Sequence, residues 1–353
     1  MQQKKKYFRV RDRADQLMQL RAESIMRGEY PGFYCLWEIF SLKRGYPLFI
    51  AGLPGAGKSE FTLELAVFTA LNYGWKWFVN LGETGTVDEQ IAELAHKVIG
   101  SPYRKKHKEA DNYYAMTDAE TIYAHQVIDE YFVFCDLENP DSNINSLSIK
   151  QFYELAEEAE RDLEIKFAGT IFDPFNDAEE QLEHYGGRED KYLKEVLRLS
   201  RISAKKNNRV DILVNHIADI KYQIDKSTQK RYTPVALPSE WAGGRTWHRR
   251  AFTMLLIYRP PVFLMDEHGE PFKENETVIY NQKAKPKGSG KIGHCSLFWD
   301  WKKNRYYEDY HTQIFAHKQG QRKGRIELER KIDAINEFKN EKRTDRKGQD
   351  APF

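Results

Sequence analysis

The sequence is poor in cysteine and lacks long apolar runs, and each shortage excludes a class of protein. Its three cysteines, Cys35, Cys135 and Cys295, lie far apart and form no Cys-x-x-Cys or Cys/His cluster. This argues against a disulfide framework and against structural zinc, and it favours a reducing, cytoplasmic compartment. No apolar stretch approaches the length of a membrane span, and the basic start at residues 1–13 lacks the apolar segment of a secretory signal.

An excess of charge of one sign is also absent. The formal net charge is only +2, so any nucleic-acid site has to be a local basic patch and not a general property of the surface. Hydrophobic residues make up 41% and aromatic residues 13% of the 353 positions. This composition suits one large or two modest domains with a sizeable core and excludes wholesale disorder.

The most informative stretch is GLPGAGKS at residues 52–59. It follows an apolar run at 46–51 that predicts a buried strand, and it precedes a segment of helical apolar spacing that stops at Gly74. Strand, glycine loop and helix in this order predict a phosphate-binding P-loop, with a glycine-rich turn before an ordinary helix as the alternative. The predicted nucleotide-binding residues are Gly52, Pro54, Gly55, Ala56, Gly57, Lys58, Ser59 and Glu60.

The chemistry of a P-loop follows from these residue types. The glycines let backbone N–H groups surround a phosphate, and the first turn of the following helix adds a positive dipole end. Lys58 can then reach the β- and γ-phosphates of ATP, while the Ser59 hydroxyl can ligate Mg²⁺.

Strand-like runs alternate with helical segments along the rest of the chain. The predicted strands lie at 46–51, 76–81, 131–136, 167–173, 210–216, 252–258 and 277–282, and the predicted helices at 59–73, 87–99, 149–164 and 189–207. This alternation predicts an α/β fold with a mostly parallel, twisted sheet and helices on both faces. Ligands of such folds bind at the carboxyl ends of the strands, so residues that follow a strand are the candidates for chemistry.

The composition divides the chain into three parts. Residues 1–45 are charged and helix-prone, and they predict either a linker helix that packs on a partner or a solvated arm. Residues 46–315 carry the predicted ATPase domain. Residues 316–353 form a charged C-terminal tail that is predicted to be partly disordered.

Three polar side chains follow predicted strands. Glu83 can deprotonate an attacking water, or it can be an ordinary acid at a helix N-terminus. Asp173 ends the apolar run GTIFD and occupies the position of a second Mg²⁺-directed group. His216 can contact the γ-phosphate, or it can be an ordinary histidine at a strand end.

Two basic segments follow later in the chain. Residues 217–240 predict a long loop without regular structure, and loops of this length inside a compact domain are usually functional. Spaced cations with few aromatics suit a phosphate backbone, and those of this loop are Lys221, Lys226, Lys230 and Arg231. Lys283 and Lys285 lie in a basic strand exit, where they either offset phosphoryl charge on a neighbouring subunit's nucleotide or belong to a solvated hairpin.

The order of these motifs resembles the RecA-type ATPase domain of DnaB-like replicative helicases, above all the Twinkle-type and phage primase-helicase branch. The similarity covers about residues 30–310 and rests on the P-loop and on the phrases IFDPFND, LVNH and QKAKPKGSGKIG. It implies a RecA-like P-loop NTPase core that uses Mg²⁺ and ATP to move along single-stranded DNA as a homohexameric ring. It further implies separate primase and loader proteins, and the host bacterial cytoplasm if the protein is phage-encoded.

The resemblance implies a role for each candidate near the phosphates. Lys58 and Ser59 hold phosphate and Mg²⁺, Glu83 is the catalytic glutamate, Asp173 is the Walker B acid, and His216 senses the γ-phosphate. The basic segment 217–240 corresponds to the loop that lines the central channel and follows single-stranded DNA.

Other roles concern the adenine and the neighbouring subunit. Arg259 resembles the arginine that contacts the adenine, and Lys283 and Lys285 correspond to the pair that acts in trans. The family has arginine at the position of Lys285, and a lysine lacks the planar fork of a guanidinium. A trans-acting arginine could instead be Arg245, Arg249 or Arg250.

Two other functions use the same motifs. A RecA-like, ATP-gated DNA-binding protein would form open filaments where a ring helicase closes, and a viral genome-packaging ATPase would share the nucleotide chemistry. The shape of the assembly on DNA separates the first of these from a helicase.

Overall fold

The computed structural model describes six stretches of the chain, residues 7–23, 27–103, 115–136, 147–180, 182–218 and 220–316. The predicted tail after residue 316 and the centre of the polar segment at 104–114 lie outside the described residues. Among the helices of the six stretches, none is long and apolar enough to cross a membrane.

Strands and helices alternate through most of the described chain, as predicted. The strands are β1 (Leu48–Gly52), β2 (Trp77–Leu81), β3 (Phe132–Phe134), β4 (Gly169–Asp173), β5 (Val210–His216), β6 (Gln223–Ile224), β7 (Arg231–Tyr232), β8 (Thr253–Tyr258), β9 (Glu276–Lys283), β10 (Gly293–Asp300), β11 (Arg305–Glu308) and β12 (Ile314–Phe315). The helices are α1 (Ala14–Glu23), α2 (Tyr34–Ile39), α3 (Lys58–Tyr73), α4 (Val87–Ile99), α5 (Asp118–Tyr131), α6 (Ile149–Asp162), α7 (Glu189–Asn207) and α8 (Arg245–Arg250).

One large sheet is parallel over most of its width and antiparallel at one side. Its order is β12-β11-β10-β9-β8-β1-β5-β4-β2-β3. The pairs from β8 to β3 are parallel, and the pairs from β8 to β12 are antiparallel. The parallel part confirms the predicted α/β class. The sequence analysis missed β10–β12, because half-exposed antiparallel strands lack the continuous apolar run of a buried parallel strand.

The side chains of β1 show how the sheet separates two cores. Leu48 and Ile50 point into a core that contains residues of α3, α4 and α5, whereas Phe49 and Ala51 point into one formed with α6, α7 and α8. Successive residues of a strand face opposite sides of its sheet. The helices therefore cover both faces, which is the predicted arrangement.

Two helices were missed, although one left a signal in the sequence. Thr117 and Glu120 form a capping box at the start of α5, a Thr-x-x-Glu pattern that can be recognised before the fold is known. The short helix α8 lies where the sequence analysis expected the chain to run directly into β8, and the buried Trp247 holds it against the core.

The N-terminal part of the chain contributes to the same core. Phe33, Leu36 and Phe40 are buried in the core on the side of α3, while the division at residue 45 remains a prediction. Cys35 on α2 and Cys295 on β10, which are distant in sequence, line one surface hollow as free thiols.

Candidate nucleotide site

The GLPGAGKS segment forms the turn between β1 and α3. Gly55 and Gly57 have φ angles of 72° and 90°, in the left-handed region that glycine adopts without strain. A Cβ on Gly52 would lie 2.5 Å from the carbonyl oxygen of Ile257 on β8, so the neighbouring strand leaves room only for glycine. A turn of this form directs N–H groups and a helix N-terminus towards an anion.

A cavity of about 500 Å³ lies beside this turn. Its walls include residues 54–60 together with Glu83, His216 and Arg259. These three follow or end the parallel strands β2, β5 and β8, whose carboxyl ends meet at the same edge of the sheet. The size is typical of a small-molecule site. The structure thus brings residues from four distant parts of the sequence to the predicted phosphate cradle.

His216 connects the lysine of the cradle to the glutamate. Its Nδ1 lies 3.5 Å from Lys58 Nζ, and its Nε2 lies 3.1 Å from Glu83 Oε1. The Lys58 ammonium also donates to the carbonyl oxygen of Leu53 at 3.4 Å. Because an ammonium can only donate, these contacts fit the neutral histidine that is protonated at Nε2.

The environment of Lys58 is shared between burial and acidic neighbours. The side chain is buried, and burial lowers its pKa, while the charges of Asp173 and Glu83 act in the opposite direction. A buried cation between two acidic groups is matched to an anionic ligand that brings further negative charge.

Asp173 supplies a buried carboxylate without a protein partner. Neither of its oxygens accepts a hydrogen bond from any of the described residues. Burial raises its pKa to about 6, although nearby Ser59 and Lys58 lower it in part. An orphaned buried carboxylate is costly unless a cation or donor completes it.

Mg²⁺ fits this donor set. The Asp173 carboxylate and the Ser59 hydroxyl are oxygen ligands of the kind that Mg²⁺ prefers, and Mg²⁺ commonly takes one or two protein ligands with substrate phosphates and water. In the six described stretches, no group of three or more His, Cys, Asp or Glu residues could hold a metal ion alone. Ser59 and Asp173 are therefore the residues that would hold it.

Two solved structures share this architecture. One is the ATPase domain of a DnaB-like helicase, which matches with a TM-score of 0.64 at 17% identity, over 85% of this chain and 98% of that one. A DnaB-like replicative helicase, studied with its interactions with primase, matches with a TM-score of 0.61 at 16% identity, over 85% of this chain and 67% of that one. The chain has a RecA-like helicase ATPase fold. No protein-family model and no curated protein matches its sequence.

The adenine side of this RecA-like cavity is only partly predicted by the sequence. Arg259 lies there as expected, and its Nη2 donates to the carbonyl oxygen of Glu274 at 3.2 Å. Trp299 and Tyr306, from the unpredicted strands β10 and β11, also line the cavity. The Tyr306 hydroxyl donates to the carbonyl oxygen of Gly57 at 3.3 Å, so the antiparallel extension supports the P-loop directly.

Glu60 lines the cavity as predicted, but its carboxylate is already engaged. Lys97 Nζ, which is fully buried, lies 2.9 Å from Glu60 Oε2 and 3.6 Å from Glu64 Oε2. The same ammonium lies 4.8 Å from the ring centroid of Trp299. This cluster joins α3, α4 and β10. It was missed because nothing in a helical lysine shows which buried partners the fold will supply.

Lys283 and Lys285 lie away from the cavity of their own chain. Strand β9 runs antiparallel to β8, so that Val278 pairs with Tyr258 while Lys283 pairs with Met254. The lysines therefore follow the strand towards the edge opposite the P-loop. Lys283 Nζ donates there to the carbonyl oxygen of His248.

The basic segment after His216 is not the structureless loop that the sequence predicted. Strands β6 and β7 pair as a hairpin, and Asp225 closes its turn by accepting from the Thr228 N–H at 2.7 Å. Strands of two residues leave almost no pattern in a sequence, which is why the hairpin was missed. The four predicted DNA-binding side chains are all exposed on it, namely Lys221, Lys226, Lys230 and Arg231.

A hydrogen-bonded neck joins this hairpin to the nucleotide site. The Ala242 N–H donates to the carbonyl oxygen of His216 at 3.1 Å, and the Ala218 N–H donates to that of Glu240 at 2.9 Å. Ile217 and Trp241 form a β-bridge between them. The backbone of His216 is thus part of the base of the hairpin.

Proposed function

We propose that the chain is an ATP-hydrolysing motor that moves along single-stranded DNA as a ring and separates strands. The observation that carries the proposal is the chain of contacts from Lys58 through His216 to Glu83. A phosphate-binding lysine, a strand-end histidine and an acid at one cavity are the parts that nucleotide hydrolysis requires. The similarity of the fold to helicase ATPase domains supports this reading.

Each residue of the cavity has a task in the proposed reaction. Glu83 accepts a proton from the attacking water, and its half-exposed side chain leaves it accessible to that water. Lys58 and the N–H groups of the turn bind the phosphates. Mg²⁺, held by Ser59 and Asp173, supplies positive charge that offsets the negative charge of the phosphate oxygens.

His216 links the state of the cavity to the hairpin. A γ-phosphate would compete with Glu83 and Lys58 for the histidine ring, because all of them lie at the same cavity. Any shift of His216 passes to the neck that its own backbone helps to form. Nucleotide hydrolysis would in this way move the basic hairpin that holds the DNA.

The positions of Lys283 and Lys285 favour an assembly of several copies. These lysines lie towards the sheet edge opposite their own P-loop, so they can act only on a nucleotide bound by another copy. A heterologous contact of this kind closes into a ring when the rotation between copies allows it. We propose a homohexamer, with primase as a separate partner by analogy with the DnaB-like helicase studied with primase, and with a separate loader.

An ATPase assay on a size-fractionated sample, with and without single-stranded DNA, tests the proposal. We expect DNA to stimulate hydrolysis, closed six-membered rings in negative-stain images, and strand separation on a forked duplex. Stimulated hydrolysis with open filaments and no unwinding would favour a RecA-like clamp. Absence of any ATP hydrolysis would refute the motor.

A further inference from the structure

A second basic groove lies outside both the nucleotide cavity and the hairpin. It has a volume of about 680 Å³ and lies between α7, α8 and the segment that follows β9. It shares no lining residue with the nucleotide cavity. Seven exposed cationic side chains line it, namely Lys191, Lys194, Arg198, Arg201, Arg249, Arg250 and Lys285.

Four of these cations form a stripe along α7. Lys191, Lys194, Arg198 and Arg201 follow one another at intervals of three or four residues, which places them on one face of the helix. The opposite face is buried. The stripe spans about 15 Å at the rise of an α-helix, a length that corresponds to about four phosphates along one nucleic-acid strand.

The positive charge of the groove is almost uncompensated. The only carboxylate in its lining is that of Glu195, which already accepts from Arg198 Nε at 2.6 Å. Within the described part of the chain, Lys194 and Arg201 form no ion pair with a carboxylate. Burial lowers the pKa of neighbouring Lys283, and the charge of Lys285 lowers it further. A groove that concentrates like charge in this way attracts a polyanion.

We propose that this groove binds the phosphate backbone of nucleic acid as a second site, separate from the hairpin. A linear row of cations matches a row of phosphates better than it matches a single anion. The four arginines of the groove can each form the planar fork that suits a phosphate group. The inference extends the proposed function, but it rests on the groove alone and requires no ATP hydrolysis.

The test is fluorescence anisotropy of a labelled single-stranded oligonucleotide, measured without nucleotide at several salt concentrations. The variant is Lys194→Gln with Arg201→Gln, and the matched control is Lys150→Gln with Arg161→Gln on the exposed surface of α6. We expect the groove variant to bind about tenfold more weakly at low salt, and its salt slope to fall by about 1.4 because two phosphate contacts are lost. The control should match the parent chain, and equal melting temperatures would show that both variants fold.

Four other outcomes separate the groove from the motor. Unchanged affinity and slope in the groove variant, with weaker binding by Lys221→Gln/Lys226→Gln, would overturn the groove and leave the motor standing. A changed oligomeric state without a change in affinity would overturn it by showing an interface between copies. A loss of DNA-free ATPase alone would overturn it by assigning the groove to a neighbour's nucleotide. Binding through the groove by a chain that hydrolyses no ATP would support the groove and refute the motor.

Discussion

His216 Nε2 lies 3.1 Å from Glu83 Oε1, although the two residues are 133 positions apart in sequence. They meet because β5 and β2 are parallel strands of one sheet, separated by β4, and both residues stand at the carboxyl edge. The other ring nitrogen of His216 faces Lys58. One histidine therefore contacts both the proposed base and the phosphate-binding lysine.

Replacing the proposed base should stop hydrolysis and leave nucleotide binding intact. Glu83→Gln keeps the shape of the side chain but cannot accept a proton, so we expect kcat to fall by about 10² to 10⁴. Single-turnover ATP hydrolysis and nucleotide binding by fluorescence are the measurements. Glu154→Gln, at an exposed position of α6, is the control. Full DNA-stimulated activity in Glu83→Gln would contradict the assignment.

Replacing the histidine should uncouple DNA from hydrolysis. Glutamine can still donate to Glu83, whereas alanine removes both ring contacts. We therefore expect His216→Ala to retain ATP binding and lose most of the stimulation by single-stranded DNA, while His216→Gln keeps part of it. The ratio of stimulated to basal ATPase measures the effect. Equal stimulation ratios in the alanine variant and the parent chain would argue against a sensor.

Burial of Asp173 makes the stability of the magnesium-free protein depend on pH. Its pKa is raised from 3.8 to about 6 in the folded chain, so the folded state holds the proton more tightly than the unfolded state does. The associated stability is full below pH 3.8 and is lost as the pH rises through 6, a change of about 3 kcal/mol at most.

The variant Asp173→Asn isolates this effect because its side chain does not titrate. In magnesium-free buffer, we expect it to become more stable relative to the parent chain as the pH rises from about 4 to 7. Urea unfolding at each pH measures the difference. A difference that stays constant across this range would show that Asp173 is not the group responsible.

Complementation between inactive chains tests whether Lys285 acts in trans. Lys285→Ala should be inactive because it supplies no charge to a neighbour, and Glu83→Gln should be inactive at its own site. Mixed rings contain interfaces that join an intact Glu83 to an intact Lys285, so mixing should restore part of the ATPase. Activity is measured against mixing ratio. A mixture that is no more active than its components would exclude this interface.

The buried cluster around Lys97 should dominate the stability of the P-loop helix. Lys97→Met leaves Glu64 buried without its partner, so we expect the free energy of unfolding to fall by about 3–5 kcal/mol. The control Lys76→Met removes an ion pair with Glu130 that is partly exposed, which should cost less than about 1 kcal/mol.

The partner carboxylate gives a further check on this cluster. Adding Glu64→Gln to Lys97→Met removes the uncompensated charge and should recover part of the loss, because the effects of substituting residues in contact are not additive. Urea unfolding measures all of these variants. Similar losses in Lys97→Met and Lys76→Met would show that burial of the cluster is unimportant.

The sequence by itself determined the P-loop, the parallel strands and the strand-end residues Glu83, Asp173 and His216. These features are local: a glycine pattern, an apolar run or one polar residue after a run identifies each of them. Because parallel strands end at one edge, the convergence of these residues could also be expected before the fold was known.

Only the tertiary structure decided which distant side chains meet. The pairing of Lys97 with Glu60, the contact of Tyr306 with Gly57 and the joining of α7 to α8 in one basic groove depend on long-range packing, which leaves no local pattern. The β6–β7 hairpin and the antiparallel extension were likewise decided by pairing between strands that are too short or too exposed to be recognised alone. Local periodicity therefore placed the catalytic edge, and contacts between distant segments shaped the surfaces around it.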